Sequence, residues 1–137
     1  MSVRWEVDKT KLDPQLVADV DALLGNDPAD WVVHYGFRTW AEQQQLYEKF
    51  QQGGPEAAPP GKSAHEYGLA VDFHQIVDGK DSWTVGQDWK RIMAAVDASP
   101  RMHGGWHFPV PDDDHIQSLK WYKVRQNLLT NPIGSAT

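Results

Sequence analysis

The stretch SAHEYGLAVDFH, residues 63–74, gathers His65, Asp72 and His74 in a chain with six histidines and no cysteine. Without thiols, disulfides, iron–sulfur clusters and thiol catalysis are excluded together, and a metal site must use imidazoles and carboxylates. The run 69–76 reads as a strand. On an extended chain Ala70, Asp72 and His74 share one face, while Leu69, Val71 and Phe73 share the opposite, core-facing one. Ala70 leaves room above the Asp72 carboxylate. Positions 65 and 72 are an odd number of residues apart, so one straight strand cannot aim both side chains at a point. Gly68 lies between them and permits the bend that could. His74 is expected to be a non-ligand, either supporting the site or exposed.

A catalytic zinc site takes about three protein ligands and keeps one position open for water. A general base belongs near that position. The third ligand must therefore come from His34, His103, His107 or His115. His107 follows Gly104, Gly105 and Trp106, none of which can act as a base, whereas His115 follows Asp112, Asp113 and Asp114. By residue type alone, an ordinary strand and a solvated acidic turn would show the same features.

The elements that must position these residues are legible in outline. Asp13-Pro14 reads as an N-cap followed by proline at the first helical position, with Leu16, Val17, Val20, Leu23 and Leu24 at helical spacing and Gly25 closing the segment. WVVHYGFR (31–38) is β-branched and aromatic, hence a strand. Thr39 and Glu42 form a capping-box pattern that opens a second helix, with Trp40, Gln43, Tyr47 and Phe50 along one face. GGPEAAPPGK (53–62) is a surface loop. Thr84 and Gln87 suggest another capping box before a third helix carrying Trp89, Ile92, Met93 and Val96 and stopped by Pro100. GGWHFPV (104–110) resembles a strand, and Trp121, Val124 and Leu128 mark a last helix. Strands and helices mix without regular alternation, so the expected class is α+β.

The 137 residues, 40% hydrophobic and 23% charged, fit one domain with a real core. A net charge of −6 argues against a dedicated nucleic-acid binder, and no phosphate loop or nucleophile elbow is present. No stretch is long and apolar enough to insert in a membrane. The first residues lack the apolar core of a signal peptide, so synthesis in the cytoplasm is expected.

Three ordered blocks add a more specific signal: GFRTWAEQQQLY (36–47), SAHEYGLAVDF (63–73) and GGWHFPVPDDDH (104–115). Together they resemble the LAS zinc peptidases (lysostaphin-type, D-Ala-D-Ala metallopeptidase and hedgehog domains), and within them the L-alanyl-D-glutamate endopeptidase branch of peptidase family M15, which includes many phage endolysins. The resemblance implies a small antiparallel sheet flanked by helices. It implies Zn²⁺ held by His65, Asp72 and His115, Asp112 as general base, and Arg38 steadying the oxyanion. Ser63 and Gln43 match positions near the substrate or supporting the site. The implied substrate is the L-Ala–D-Glu bond of the peptidoglycan stem peptide. The family often has Asp-Trp after the two glycines, where this chain has Trp106-His107, and Pro before the last ligand, where it has Asp114. Asp113 and Asp114 are expected to raise the pKa of the base by repulsion.

The resemblance further suggests a monomeric endolysin with residues 1–137 as a single catalytic domain and no separate wall-binding domain. It would be made in the host cytoplasm and act on the wall after release. Two other readings share these residues: a D,D-carboxypeptidase trimming terminal D-Ala, and a zinc-bearing wall-binding module without catalysis.

Overall fold

The computed structural model describes residues 2–130. Helix α1 (Pro14–Gly25) begins where Asp13 accepts a hydrogen bond from the Leu16 N–H at 3.1 Å, with Pro14 at a position that needs no N–H. Strand β2 (Asp30–Tyr35) follows, then α2 (Trp40–Gln51), opened by the reciprocal Thr39–Glu42 capping box. The face of α2 that carries Trp40, Tyr47 and Phe50 does not enter the core. Gln43 is its buried residue, and Trp40 remains 57% exposed.

Strand β3 (Ala70–Val77) is the centre of the sheet. One of its edges pairs antiparallel with β2. The other is shared by β6 (His115–Ser118), paired at residues 70–72, and β4 (Lys80–Ser82), paired at residues 75–77. β5 (Met102–Gly104) lies outside β6 and β1 (Ser2–Trp5) outside β2. Every pair is antiparallel except β1–β2, which is parallel. The fold is therefore α+β, with a largely antiparallel sheet flanked by helices.

The two faces of the sheet differ. Leu16, Val20 and Leu24 of α1 and Trp89, Ile92 and Val96 of α3 (Gln87–Asp97) pack on Trp31, Val33, Val71, Phe73 and Ile116. Phe73 stacks on Trp89 at 4.9 Å, and Trp31 meets both rings edge-on. On the opposite face, Trp121 of α4 (Lys120–Thr130) packs with Ala64, Tyr67 and Ala70, and with Leu69, which precedes β3 and so leaves the core face expected for it. Asp72 and His115, on that second face, are left beside the covered end.

Two local expectations change. α3 starts two residues later than the expected box, from Gly86 with no side-chain cap, while the Thr84 N–H turns back to Ser82 Oγ at the end of β4. The segment 104–110 is not one strand: β5 stops at Gly104, and Gly105–His107 form a 3-10 turn. Trp106 Nε1 and His107 Nε2 both donate to Asp97 Oδ1, at 3.1 and 2.8 Å, and fix that turn against α3.

Candidate metal centre

His65 sits in a 3-10 turn, Ala64–Tyr67, that ends at Gly68 in the left-handed region (φ 67°). The bend expected at this glycine is present, and it reverses the chain so that His65 returns over β3. A Cβ at Gly68 would lie 2.5 Å from the Lys11 carbonyl oxygen, so the site demands glycine on both counts. Ser63 caps the turn, accepting from the His65 N–H at 3.3 Å, and Glu66 answers by accepting from the N–H groups of Ser63 and Gly61. This second capping box is signalled in the sequence by S-A-H-E.

Asp72 and His115 are paired residues across β3 and β6. His115 Nδ1 lies 3.2 Å from Asp72 Oδ1, and His65 Nε2 lies 3.4 Å from Asp72 Oδ2. All three side chains are buried, and one donor atom of each falls within 4.8 Å of the other two. The sequence therefore singled out three residues that the fold does bring together. His107, the competing histidine, is half-exposed and engaged with Asp97.

The outer hydrogen bonds choose which nitrogen of each ring faces the centre. His65 Nδ1 donates to the Gly36 carbonyl at 2.8 Å, leaving the Nε2 lone pair toward Asp72. His115 Nε2 donates to Gln117 Oε1 at 2.8 Å, leaving Nδ1 inward. Each outer bond thus sets its ring's orientation from behind and leaves inward the nitrogen that a cation would take. Two imidazoles and one carboxylate, pre-aimed at a common point, fit a divalent ion such as zinc. Gln117 and the Gly36 carbonyl were missed at the sequence level. Gln117 would have followed from reading 115–118 as a strand, but a backbone carbonyl has no side-chain signal.

Burial opposes the Asp72 charge, yet the two imidazoles beside it more than compensate and hold its carboxyl below the usual range. Burial also opposes charge on His115, but its hydrogen bond to Asp72 leaves the ring raised above its ordinary value.

Asp112 and Asp114 approach Asp72 from the turn before β6. Asp112 Oδ2 is 3.8 Å from His115 Nδ1, with its side chain about half-exposed. Burial first, then a hydrogen bond with the Asp112 carboxyl and the charge of Asp72, push Asp114 up to about 9. The turn is shaped by Gly105, where a Cβ would run into the Asp112 carbonyl and come within 2.8 Å of His115 Cβ. Asp112 N–H donates to the Gly105 carbonyl at 2.9 Å, and Phe73 N–H to the Asp114 carbonyl at 2.9 Å.

Arg38 is joined to the centre through its backbone, its N–H donating to the His65 carbonyl at 3.1 Å. Its guanidinium donates to Gln43 Oε1 at 2.8 Å, and Gln43 Nε2 donates to the Ala58 carbonyl at 2.8 Å. Gln43 is 1% exposed with both amide ends engaged. It supports Arg38 and the 53–62 loop, one of the two places that the resemblance implied for it. Ser63 likewise acts here as a cap. His74 is not exposed: it is buried, with Nε2 bonded to Asp81 Oδ1 at 2.9 Å, and it lies outside the cluster of three.

Comparison with known proteins agrees with this architecture. The chain is 37% identical over 84 residues to the peptidoglycan L-alanyl-D-glutamate endopeptidase CwlK of Bacillus subtilis, a match covering 56% of this chain and 50% of CwlK. The chain thus matches about half the length of that relative. Among solved structures it is similar to the Serratia marcescens L-Ala D-Glu endopeptidase ChiX (TM-score 0.64, 20% identity, 85% of this chain and 86% of that one). It is also similar to a vancomycin-resistance D,D-pentapeptidase VanY in complex with Zn(II) (TM-score 0.55, 18% identity, 88% and 79% covered). At these identities the structural likeness speaks to the fold. The sequence profile of VanY, D-alanyl-D-alanine carboxypeptidase, matches residues 11–114, a span that takes in His65, Asp72 and the Asp112–Asp114 turn. The chain belongs to this VanY family of LAS-type metallopeptidases.

Proposed function

We propose that this protein is a zinc-dependent peptidoglycan hydrolase that cleaves the L-Ala–D-Glu bond of the stem peptide. The observation that carries the proposal is the convergence of His65, Asp72 and His115 within 4.8 Å, each imidazole held from behind by an outer hydrogen bond, with Asp112 at its edge. The endopeptidase names of CwlK and ChiX support the choice of bond.

His65 would hold the ion through Nε2, His115 through Nδ1 and Asp72 through its carboxylate. When bound, zinc supplies a Lewis acid that polarises the scissile carbonyl and makes water acidic enough to attack near neutral pH. Asp112 takes the proton of the attacking water and returns it to the leaving amine. Arg38, braced by Gln43, donates to the oxygen on which negative charge develops. Gly36 and Gln117 hold the rings so that neither ligand reorients during turnover.

The family profile itself is that of a D,D-carboxypeptidase, which makes removal of terminal D-Ala the second reading. Incubation with a defined stem pentapeptide separates the two, with products identified by mass spectrometry. Release of L-Ala is the expected outcome, abolished by chelation and restored by zinc. Release of D-Ala alone assigns the protein to the second reading, and an inert but zinc-loaded protein assigns it to a binding role. A phage endolysin, monomeric, made in a host cytoplasm and acting on the wall after release, is the biological setting we propose.

A further inference from the structure

Beyond the metal cluster, the same sheet face carries a group of aromatic rings that the proposed chemistry does not use. The register between β2 and β3 shifts between Val33 and Tyr35, so that His34 is an extra residue and Tyr35 pairs with Asp72. Such a bulge re-aims side chains. Val33 remains in the core, but both His34 and Tyr35 meet the ring of Trp83, at 5.7 and 6.4 Å. Trp83 is delivered by the β3–β4 hairpin, whose Asp78-Gly79 turn has φ of 52° and 74°, both in the left-handed region two-residue hairpins favour.

Under these rings lies His74, buried and tilted against Trp83 at 4.4 Å, with Nε2 on Asp81. His34 Nδ1 is 3.1 Å from Glu6 Oε1. The two histidines thus act as a bonded floor. The rings above them stay open: Tyr35 is 50% and Trp83 43% exposed, and their planes are within 31° of each other.

We infer that Tyr35 and Trp83 form a stacking subsite for the N-acetylated sugar that carries the stem peptide. This rests on the L-Ala–D-Glu reading above, because only that bond lies one residue from the sugar. The spacing agrees. His74 is two residues from Asp72 along β3, or roughly 7 Å. One extended residue and its linkage to the sugar span about the same distance. Pyranose rings present flat C–H faces that suit aromatic planes. The tyrosine hydroxyl and indole N–H add polar tips for hydroxyl and acetamido groups. Binding a remote part of the substrate here would raise kcat/KM at the reacting centre.

The test compares kcat/KM for N-acetylmuramoyl-L-Ala-D-Glu peptide with that for the same peptide carrying only an N-acetyl group. The wild-type protein is expected to favour the muramoyl substrate by about tenfold. Trp83→Ala is expected to bring the ratio close to one, and Trp83→Phe, which keeps a ring over His74, to retain most of it. No preference in the wild type overturns the subsite, as does an unchanged ratio in a folded Trp83→Ala. A preference that instead tracks residues beyond D-Glu assigns the rings to peptide and overturns it too. If the wild type cuts the L-Ala–D-Glu bond in neither substrate, the underlying reading fails first and the subsite falls with it.

Discussion

Asp112 and Asp114 belong to one short turn yet have different surroundings. Asp112 is half-exposed at the edge of the three-residue cluster, while burial and its two carboxylate neighbours drive Asp114 up to about 9. Asp114 is therefore pushed toward its protonated form, which an amide in its place imitates. Asp112→Asn is expected to keep zinc and lower kcat by about 10²–10⁴, as for loss of a positioned general base. Asp114→Asn is expected to cost less than about tenfold. Kinetics and zinc content of both variants check this, and a collapse in Asp114→Asn with near-normal Asp112→Asn would reverse the roles. His65, Asp72 and His115 were legible because their spacing and blocks carry a family pattern. For Gln43 the resemblance left substrate contact and support open, since sequence cannot show that both ends of an amide are engaged internally.

At the scale of elements, the metal centre depends on two reversals, at Gly68 and at Gly104-Gly105. The first was readable from glycine between two ligands that a straight strand could not align. The second was not, because GGWHFPV has a strand's composition, and only packing reveals that Trp106 and His107 are turned toward Asp97. Gly105→Ala is expected to displace the 112–115 turn and weaken zinc affinity by about 10–100-fold, the scale seen when the residues supporting metal ligands are disturbed. Competition with a chromogenic chelator measures this, with circular dichroism confirming that the helices persist. Gly86→Ala, where an added Cβ meets nothing within 4 Å, is the neutral control. α1 and α2 were readable from caps and periodicity, α3 and α4 from periodicity alone. β1, β4 and β6 span three or four residues each, too few to establish alternation, and β6 is the strand that delivers His115.

The whole molecule is tied together by Asp27, which sits between α1 and β2 and reaches α3. Its carboxylate accepts from Arg91 at 2.6 and 2.8 Å, from Trp31 Nε1 at 2.9 Å and from the Ala29 N–H at 3.0 Å. Burial opposes its charge, but these donors prevail and lower its pKa to about 2. A carboxyl depressed on folding stabilises the native state above its unfolded pKa, near 4, and that contribution fades as pH falls toward 2. The effect is worth about 2 kcal/mol. Urea melts of wild type and Asp27→Asn are expected to differ by about that much at pH 6 and to converge by pH 2. A gap independent of pH would contradict the assignment. The α+β class followed from composition and element order, but the parallel β1–β2 edge did not, since strand direction at an edge is decided by packing of α1 between them.

The proposed activity needs three side chains to meet at one ion, and a crystal structure of the zinc-loaded protein with anomalous data at the zinc edge tests this most directly. The predicted result is one zinc per chain bonded at about 2.0–2.2 Å by His65 Nε2, Asp72 and His115 Nδ1. Zinc held by His107 or His103 in place of His115, or no zinc at this position in an active protein, would contradict it.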